Sequence, residues 1–202
     1  KMTSLEKIIK ARSKLMKGNI GMASMLLHLD LVEVEKSRCK TMATDGKSIF
    51  FFPDFVESCN ETELKGVLVH EALHCVYEHP LRRGKRHIKV WNIACDYAIN
   101  AFLVYDLKFE LPEGGLLERK YKGMTAEKIY QVLVKDEDSL EDAIDQMSSG
   151  NSTTDKENIS SSNWDSIPDS IGQVWDAKNE EGKPLNEGEI SELKSEIQRA
   201  VS

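Results

Sequence analysis

The segment His70-Glu71-Ala72-Leu73-His74 constrains the fold of this 202-residue chain more than any other feature. Residues four positions apart lie one above the other on an α-helix, so a helix here would bring both imidazoles onto one face. Two imidazoles placed in this way can bind one zinc ion, and Glu71, about 100° around the helix, can reach a water molecule beside it. The motif therefore predicts a helix with His70 and His74 as metal ligands and Glu71 as a catalytic base.

The residues around the motif indicate where this helix begins and ends. Asn60 offers an N-cap, and Glu63, three residues later, completes a capping box. Pro80 disfavours helical geometry at the residue before it, so the helix is predicted over about 62–78. The alternative is a surface helix with two solvated histidines, but such a motif arises by chance in only about one chain in a hundred of this length.

A catalytic zinc site needs a third protein ligand, with the fourth position left to water. Asp96 is the first candidate, because it lies with Asn92 and Asn100 on one stripe of an otherwise apolar helix predicted over 90–105. A buried carboxylate is costly unless a metal or a partner satisfies it. We therefore predict Asp96 as the ligand, with Asn92 and Asn100 as hydrogen-bonding partners around the site. The alternative is a buried Asp96 that binds loop amides.

Two further histidines are alternative third ligands. His79 lies five residues after His74, which on a continuing helix points about 140° away, so only a sharp turn at Pro80 would bring it back. We expect His79 to support the ligands rather than to bind the metal. His87 lies in a basic loop and is the remaining alternative.

Hydrophobic periodicity predicts several more helices and a small sheet. The alternating residues 31–35 favour a strand, and strand-forming residues on both sides of the Asp45-Gly46 turn favour a hairpin within 41–52. Together these elements predict an α+β fold. Further helices are predicted over 3–17, 22–29, 125–134, 140–147 and 187–201.

Composition divides the chain into three parts. Residues 1–147 are predicted to form one domain, and 148–163, almost entirely small, polar or charged, are predicted to be a flexible linker or insertion. The length of this linker and its acidic residues motivate the hypothesis that it covers the cleft and keeps the site latent. Residues 164–202 are predicted to be a C-terminal extension whose terminal helix leads into a further domain.

Charge and cysteine content disfavour other classes of protein. The net charge of −7 argues against nucleic-acid binding, although the basic run 82–86 keeps that alternative open. None of the four cysteines forms a C-x-x-C pair, which argues against an all-cysteine zinc site. The sequence has no signal-peptide pattern and no apolar run that could cross a bilayer, so we expect a cytoplasmic protein with reduced thiols and no membrane partner.

Several motifs occur in order over about residues 1–135: Thr41-Met42-Ala43-Thr44-Asp45-Gly46, Phe52-Pro53-Asp54-Phe55, Val69-His70-Glu71-Ala72-Leu73-His74, His79-Pro80-Leu81-Arg82-Arg83 and Trp91-Asn92-Ile93-Ala94-Cys95-Asp96-Tyr97-Ala98-Ile99-Asn100. Together they resemble the putative metallopeptidase domain that precedes a von Willebrand factor A-like domain in bacterial and phage proteins. The resemblance implies a zincin-like fold, in which a small, mostly antiparallel sheet packs on the motif helix and a second helix supplies the third ligand. Asp96 then stands where gluzincins use glutamate.

The same resemblance implies how a substrate is bound. Residues 41–52 would include the edge strand beside the cleft, where Thr44 and Asp45 hold an extended peptide by strand addition. It also implies a C-terminal von Willebrand factor A-like domain as a partner in the full-length protein.

The function predicted from these features is zinc-dependent hydrolysis of peptide bonds in peptide or protein substrates, with Zn²⁺ as the cofactor. The donor that stabilises the oxyanion stays open among Tyr97, Tyr77, His87 and Arg82. The alternative function is a non-catalytic zinc-binding or pseudo-protease module that binds a protein partner. The presence of Glu71 argues against it, because a structural zinc site needs no general base.

Overall fold

The computed structural model describes residues 2–18, 20–148 and 164–202. The chain forms two compact units, one made of residues 1–82 together with 172–202 and the other of residues 83–171. All of the predicted linker after Ser148, and with it the hypothesis that the linker covers the cleft, lies outside the described residues. The predicted division into 1–147, 148–163 and 164–202 stays a prediction.

Both helices and strands are present, which confirms the predicted α+β class. The helices are α1 (Ser4–Leu15), α2 (Ile20–His28), α3 (Pro53–Ser58), α4 (Glu61–Val76), α5 (His79–Arg82), α6 (Ile88–Tyr105), α7 (Ala126–Lys135), α8 (Glu137–Ser148) and α9 (Glu187–Val201). The strands are β1 (Asp30–Glu33), β2 (Met42–Thr44), β3 (Ser48–Phe51) and β4 (Gln173–Val174). The sequence did not predict the short helices α3 and α5 or the strand β4.

The four strands form a mixed sheet in the first unit, in the order β1-β3-β2-β4. Strands β2 and β3 form the predicted antiparallel hairpin, whose turn is closed by Asp45 Oδ1 accepting from the N–H groups of Lys47 and Ser48, each at 2.9 Å. The β1–β3 and β2–β4 pairs are parallel, so the expected mostly antiparallel character is not confirmed. Strand β2 pairs on both sides and is not an edge strand, because β4 lies beside it.

Helix α4 lies at the centre of the first unit. It packs against β2 and against the helices α1, α2 and α9. Every residue from Gly66 to Cys75 is buried, so α4 has no solvent-facing stripe along this stretch. A helix surrounded by other elements on every side is normally apolar throughout. The polar motif residues therefore lie in a position where each must find a partner.

The second unit is helical and is built around α6. This helix packs against α7, which in turn packs against α8. Tyr97 of α6 lies in the apolar core of this unit beside Tyr121, with ring centroids 4.7 Å apart. None of the helices in the described part of the chain combines the length and the apolar character needed to cross a bilayer.

The capping box of α4 gives a test of this fold. Asn60 Oδ1 accepts from the N–H groups of Thr62 and Glu63, and the Glu63 carboxylate accepts from the Asn60 N–H at 2.9 Å. We expect Asn60→Ala to lower the free energy of unfolding by about 1 kcal/mol, because two helix-terminal donors lose their acceptor. Urea unfolding followed by circular dichroism measures this loss. Asn60→Asp retains an acceptor and is the control; equal stability of the alanine variant and the wild type would contradict the role of the cap.

Candidate metal centre

The two histidines of α4 face each other, as their spacing predicts. Their Nε2 atoms lie 2.8 Å apart, and both side chains are buried. Two nitrogens bound to one tetrahedral zinc ion are separated by about 3.3 Å. A shift of about half an ångström would therefore adapt this pair to zinc, and the pair fits the group that the motif predicts.

Other potential ligand atoms near these histidines differ in their chemistry. Cys75 follows His74 on α4, but its Sγ lies 3.4 Å from Thr44 Oγ1, and burial raises the pKa of its thiol to about 12. A thiol with such a pKa stays neutral, whereas zinc binds the thiolate. Glu71 is fully buried. More generally, buried histidine, cysteine and aspartate side chains in the described part of the chain could hold a metal ion.

His79 returns to His74 because the chain turns sharply at Glu78. Helix α4 ends at Val76, and Glu78 adopts a left-handed backbone conformation with φ of 55°. The turn places His79 Nδ1 3.0 Å from His74 Nδ1 and buries the His79 ring. The sequence anticipated a turn at Pro80, but the reversal occurs two residues earlier.

The contact with His79 determines which ring nitrogen of His74 can present a lone pair to a metal ion. Burial, followed by the nearby His74, Arg82 and His70, holds the pKa of His79 well below its usual value, so the ring is neutral and has a lone pair to offer. When His74 Nδ1 donates to that lone pair, His74 Nε2 is left without its proton on the side that faces His70. A hydrogen bond of this kind fixes the tautomer that a metal ligand needs.

The polar stripe predicted on α6 is present in the second unit. Asn92, Asp96 and Asn100 are all buried, with 6%, 1% and 1% of their surface exposed. Asn100 Nδ2 donates to the carbonyl of Leu116 at 2.9 Å, so this asparagine fastens a loop to its own helix. Asp96 is thus a buried carboxylate on an apolar helix, as the sequence indicates.

The four residues considered as oxyanion donors lie in different surroundings. His87 Nε2 lies 2.9 Å from the Asp165 carboxylate. Burial raises the pKa of Tyr97, which lies in the core of the second unit. In the first unit, the Tyr77 ring stacks on His79 with centroids 5.8 Å apart, and Arg82 donates to the Tyr77 carbonyl. Tyr77 and Arg82 are therefore next to the residue that contacts His74.

The two residues predicted to bind substrate shape the hairpin with their side chains. Thr44 Oγ1 donates to the Ser48 carbonyl at 2.8 Å and accepts from the Gly46 N–H at 3.2 Å. The Asp45 carboxylate closes the turn. The Thr44 carbonyl points away from the hairpin and accepts from the Trp175 N–H at 2.9 Å. Any contact of Thr44 with a peptide would therefore be made by its backbone.

Gly172 is a site residue that the sequence analysis missed. It directly precedes β4 and has φ of +79°. A Cβ atom added there would lie 2.4 Å from His70 Nε2 and 2.9 Å from Glu71 Oε1, so the Gly172 backbone packs directly on the motif. The available signal was a glycine followed by the strand-forming residues Val174 and Trp175, a pattern too short to stand out.

Comparison with known proteins identifies a family for almost the whole chain. The model of the family described as "Putative metallopeptidase domain" matches residues 3–202. The match extends through the C-terminal segment, well beyond the stretch of about 1–135 on which the sequence resemblance rested. No curated protein and no solved structure matches the chain.

Two glycines with a similar positive φ, Gly172 and Gly182, test the close approach at Gly172. Gly182 has φ of +75° and nothing within 4 Å of an added Cβ. Gly172→Ala and Gly182→Ala should both lose about 1 kcal/mol for the left-handed backbone. We expect Gly172→Ala to lower the free energy of unfolding further, because only its methyl group overlaps His70 and Glu71. Parallel urea titrations measure the difference; equal losses would contradict the contact.

Proposed function

Since the chain belongs to the putative metallopeptidase domain family, we propose that it is a zinc-dependent peptidase whose catalytic centre is built on α4. The observation that carries this proposal is the pair of buried imidazoles whose Nε2 atoms lie 2.8 Å apart, with Glu71 next to the first of them. This arrangement would provide two nitrogen ligands four positions apart and a carboxylate adjacent to the first of them, all on one helix.

We propose His70, His74 and Asp96 as the three protein ligands. Asp96 is supported by the burial of its carboxylate on an apolar helix, which is costly without a metal or a charged partner. His79 positions His74 through the contact between their Nδ1 atoms. Asn92 and Asn100, on the same stripe as Asp96, are proposed to hold the ligand helix and its neighbouring loop in place.

Glu71 is the proposed general base. A zinc ion held by these ligands would lower the pKa of a bound water and polarise the carbonyl group of a substrate. The Glu71 carboxylate would accept the proton of the attacking water and pass it to the leaving amine. Full burial keeps this carboxylate out of bulk solvent and fixes its position on α4, which favours proton transfer over a defined path.

The proposed substrate is an extended stretch of polypeptide that lies along the outer side of β2. The pairing of β2 with β4 supports this, because the backbone that pairs with this side of β2 is itself extended. Thr44 and Asp45 would contribute through the hairpin that they shape. A cytoplasmic location and a C-terminal von Willebrand factor A-like partner domain remain parts of the proposal that rest on sequence alone.

One observation favours a second candidate function. The backbone at Gly172 packs on His70 and Glu71, as expected for a module whose groove holds a strand without cleaving it. Such a non-catalytic zinc-binding module would use the same groove to bind a protein partner. Peptide hydrolysis is the preferred function, because a buried glutamate beside two histidines is costly to keep in a purely structural site.

Metal content tests the ligand set. We expect about one zinc per chain in the wild type and a loss of most of it in Asp96→Ala, because two imidazoles alone bind zinc weakly. Mass spectrometry of the purified proteins measures the ratio. Asp106→Ala is the control, since Asp106 caps the end of the same helix and pairs with Lys122. Zinc retained in Asp96→Ala would assign the third ligand to another residue, and a wild type that takes up no zinc would exclude the proposal.

The role of Glu71 is tested separately from metal binding. Glu71→Gln keeps the size of the side chain and removes its ability to accept a proton, so we expect zinc content to stay and peptide hydrolysis to fall by at least about 100-fold. Cleavage of a mixture of unstructured peptides by zinc-loaded protein, followed by mass spectrometry, measures this effect. Undiminished hydrolysis in the variant would contradict the assignment of Glu71 as the base.

A further inference from the structure

We propose that residues 172–177, here called the strap, are a built-in occupant of the peptide groove, and that a polypeptide ligand enters only by displacing them. The inference rests on the proposed function in taking the outer side of β2 as the substrate side. It differs from the hypothesis drawn from the sequence, in which the linker over 148–163 covers the cleft. The strap lies within the first unit, as do all the residues that it contacts in the steps below.

The strap uses the backbone groups of β2 to which a ligand would bind. Gln173 and Val174 pair in parallel with Ala43 and Thr44 of β2. The Trp175 N–H donates to the Thr44 carbonyl at 2.9 Å. A second extended chain cannot pair with the same side of β2 while the strap is present, because each strand edge offers one row of hydrogen-bonding groups.

The strap covers the proposed catalytic side chains as well as strand β2. Gly172 is buried, and its backbone lies so close to His70 and Glu71 that even a methyl group would overlap them. The strap thus crosses the two regions that a substrate has to reach, the strand that holds it and the side chains that act on it.

The strap is anchored beyond the groove by the aromatic side chain of Trp175. The Trp175 ring lies against Phe50 with centroids 4.6 Å apart, and the Arg38 guanidinium lies 5.1 Å from the Trp175 ring. The Ala177 N–H donates to the Pro80 carbonyl at 3.2 Å. Stacking and cation–π contacts of this kind hold a short segment in place without a large buried area.

The paired part of the strap is short enough to be released. Strand β4 has two residues, and a strand of this length at the edge of a sheet belongs to the least stable part of a fold. Within the strap, Gly172, Gln173, Val174 and Ala177 are buried, whereas Trp175 is only partly buried, so release can begin at Trp175. The strap therefore has the properties of a reversible cover.

The test uses the strap itself as the probe. A fluorescent peptide with the sequence of residues 170–178 is titrated against the 202-residue chain that carries Glu71→Gln to prevent hydrolysis, and binding is followed by fluorescence anisotropy. Trp175→Ala weakens the anchor of the strap in the chain but leaves the groove intact. We expect it to bind the peptide at least ten-fold more tightly than the parent. Trp164→Ala is the matched control, because Trp164 lies in the second unit against His87, and should bind like the parent.

A second pair of variants loosens the strap at its other end. Gly172→Ala introduces the overlap with His70 and Glu71, whereas Gly182→Ala shares only the backbone strain. Gly172→Ala should also bind the peptide more tightly, and Gly182→Ala should not. Hydrogen exchange of the amides of 42–44 and 172–177 provides an independent readout, and we expect faster exchange in Trp175→Ala and Gly172→Ala alone.

The outcomes separate this inference from the proposed function. Peptide binding that is equal in all variants, although exchange shows a released strap, would overturn the inference and leave zinc binding and hydrolysis unaffected. Unchanged exchange in both loosened variants would also overturn it, since the strap would then be a fixed part of the fold. Tighter binding in the loosened variants of a protein that holds no zinc would support the inference and reject the peptidase.

Discussion

The burial of ionisable side chains on α4 is the constraint on which the rest of this structure depends. His70, Glu71 and His74 lie on a helix that is enclosed by the sheet and by other helices, where polar groups without partners are costly. Each of these side chains is in contact with a neighbour. His70 and His74 contact each other, His79 contacts His74 through its Nδ1 atom, and the Gly172 backbone packs on His70 and Glu71. The contacts that satisfy these buried side chains are therefore also the contacts that position the proposed metal ligands.

The sheet connects this helix with the C-terminal segment. Strand β2 packs on α4 on one face and pairs with β3 and β4 at its two sides. The pairing with β4 turns a strand that would lie at the edge into an interior one, which protects exposed backbone groups from unwanted pairing. Under the proposed role of the strap, this pairing has to open before a polypeptide ligand can bind to β2.

The chain belongs to the putative metallopeptidase domain family. The family model covers residues 3–202 and thus includes the strap and α9 as well as the motif helix. The C-terminal segment is thus covered by the family model, and residues 172–202 belong to the first unit. Helix α9 fastens this segment through packing on α2 and α4, and Lys194 pairs with Glu78, the residue that turns the chain toward His79.

The sequence by itself determined the local elements and the pairing of chemistry within one helix. The capping box at Asn60 and Glu63, the hairpin at Asp45-Gly46, the facing histidines and the buried stripe of Asn92, Asp96 and Asn100 all follow from spacing, because they depend on residues a few positions apart. Their bounds agree with the sequence to within a few residues. The sequence also indicated the α+β class, since helical and alternating periodicities occur in separate segments.

Only the tertiary structure decided which distant residues meet. The return of His79 depends on a left-handed turn at Glu78 that no sequence pattern marks, and the parallel pairings of β1 with β3 and of β2 with β4 join segments far apart in the chain. Strand β4 is too short to have a periodicity, and Gly172 has a role only because the sheet brings it to His70. Contacts between segments far apart in sequence depend on the packing of the whole unit, and local patterns carry no information about them.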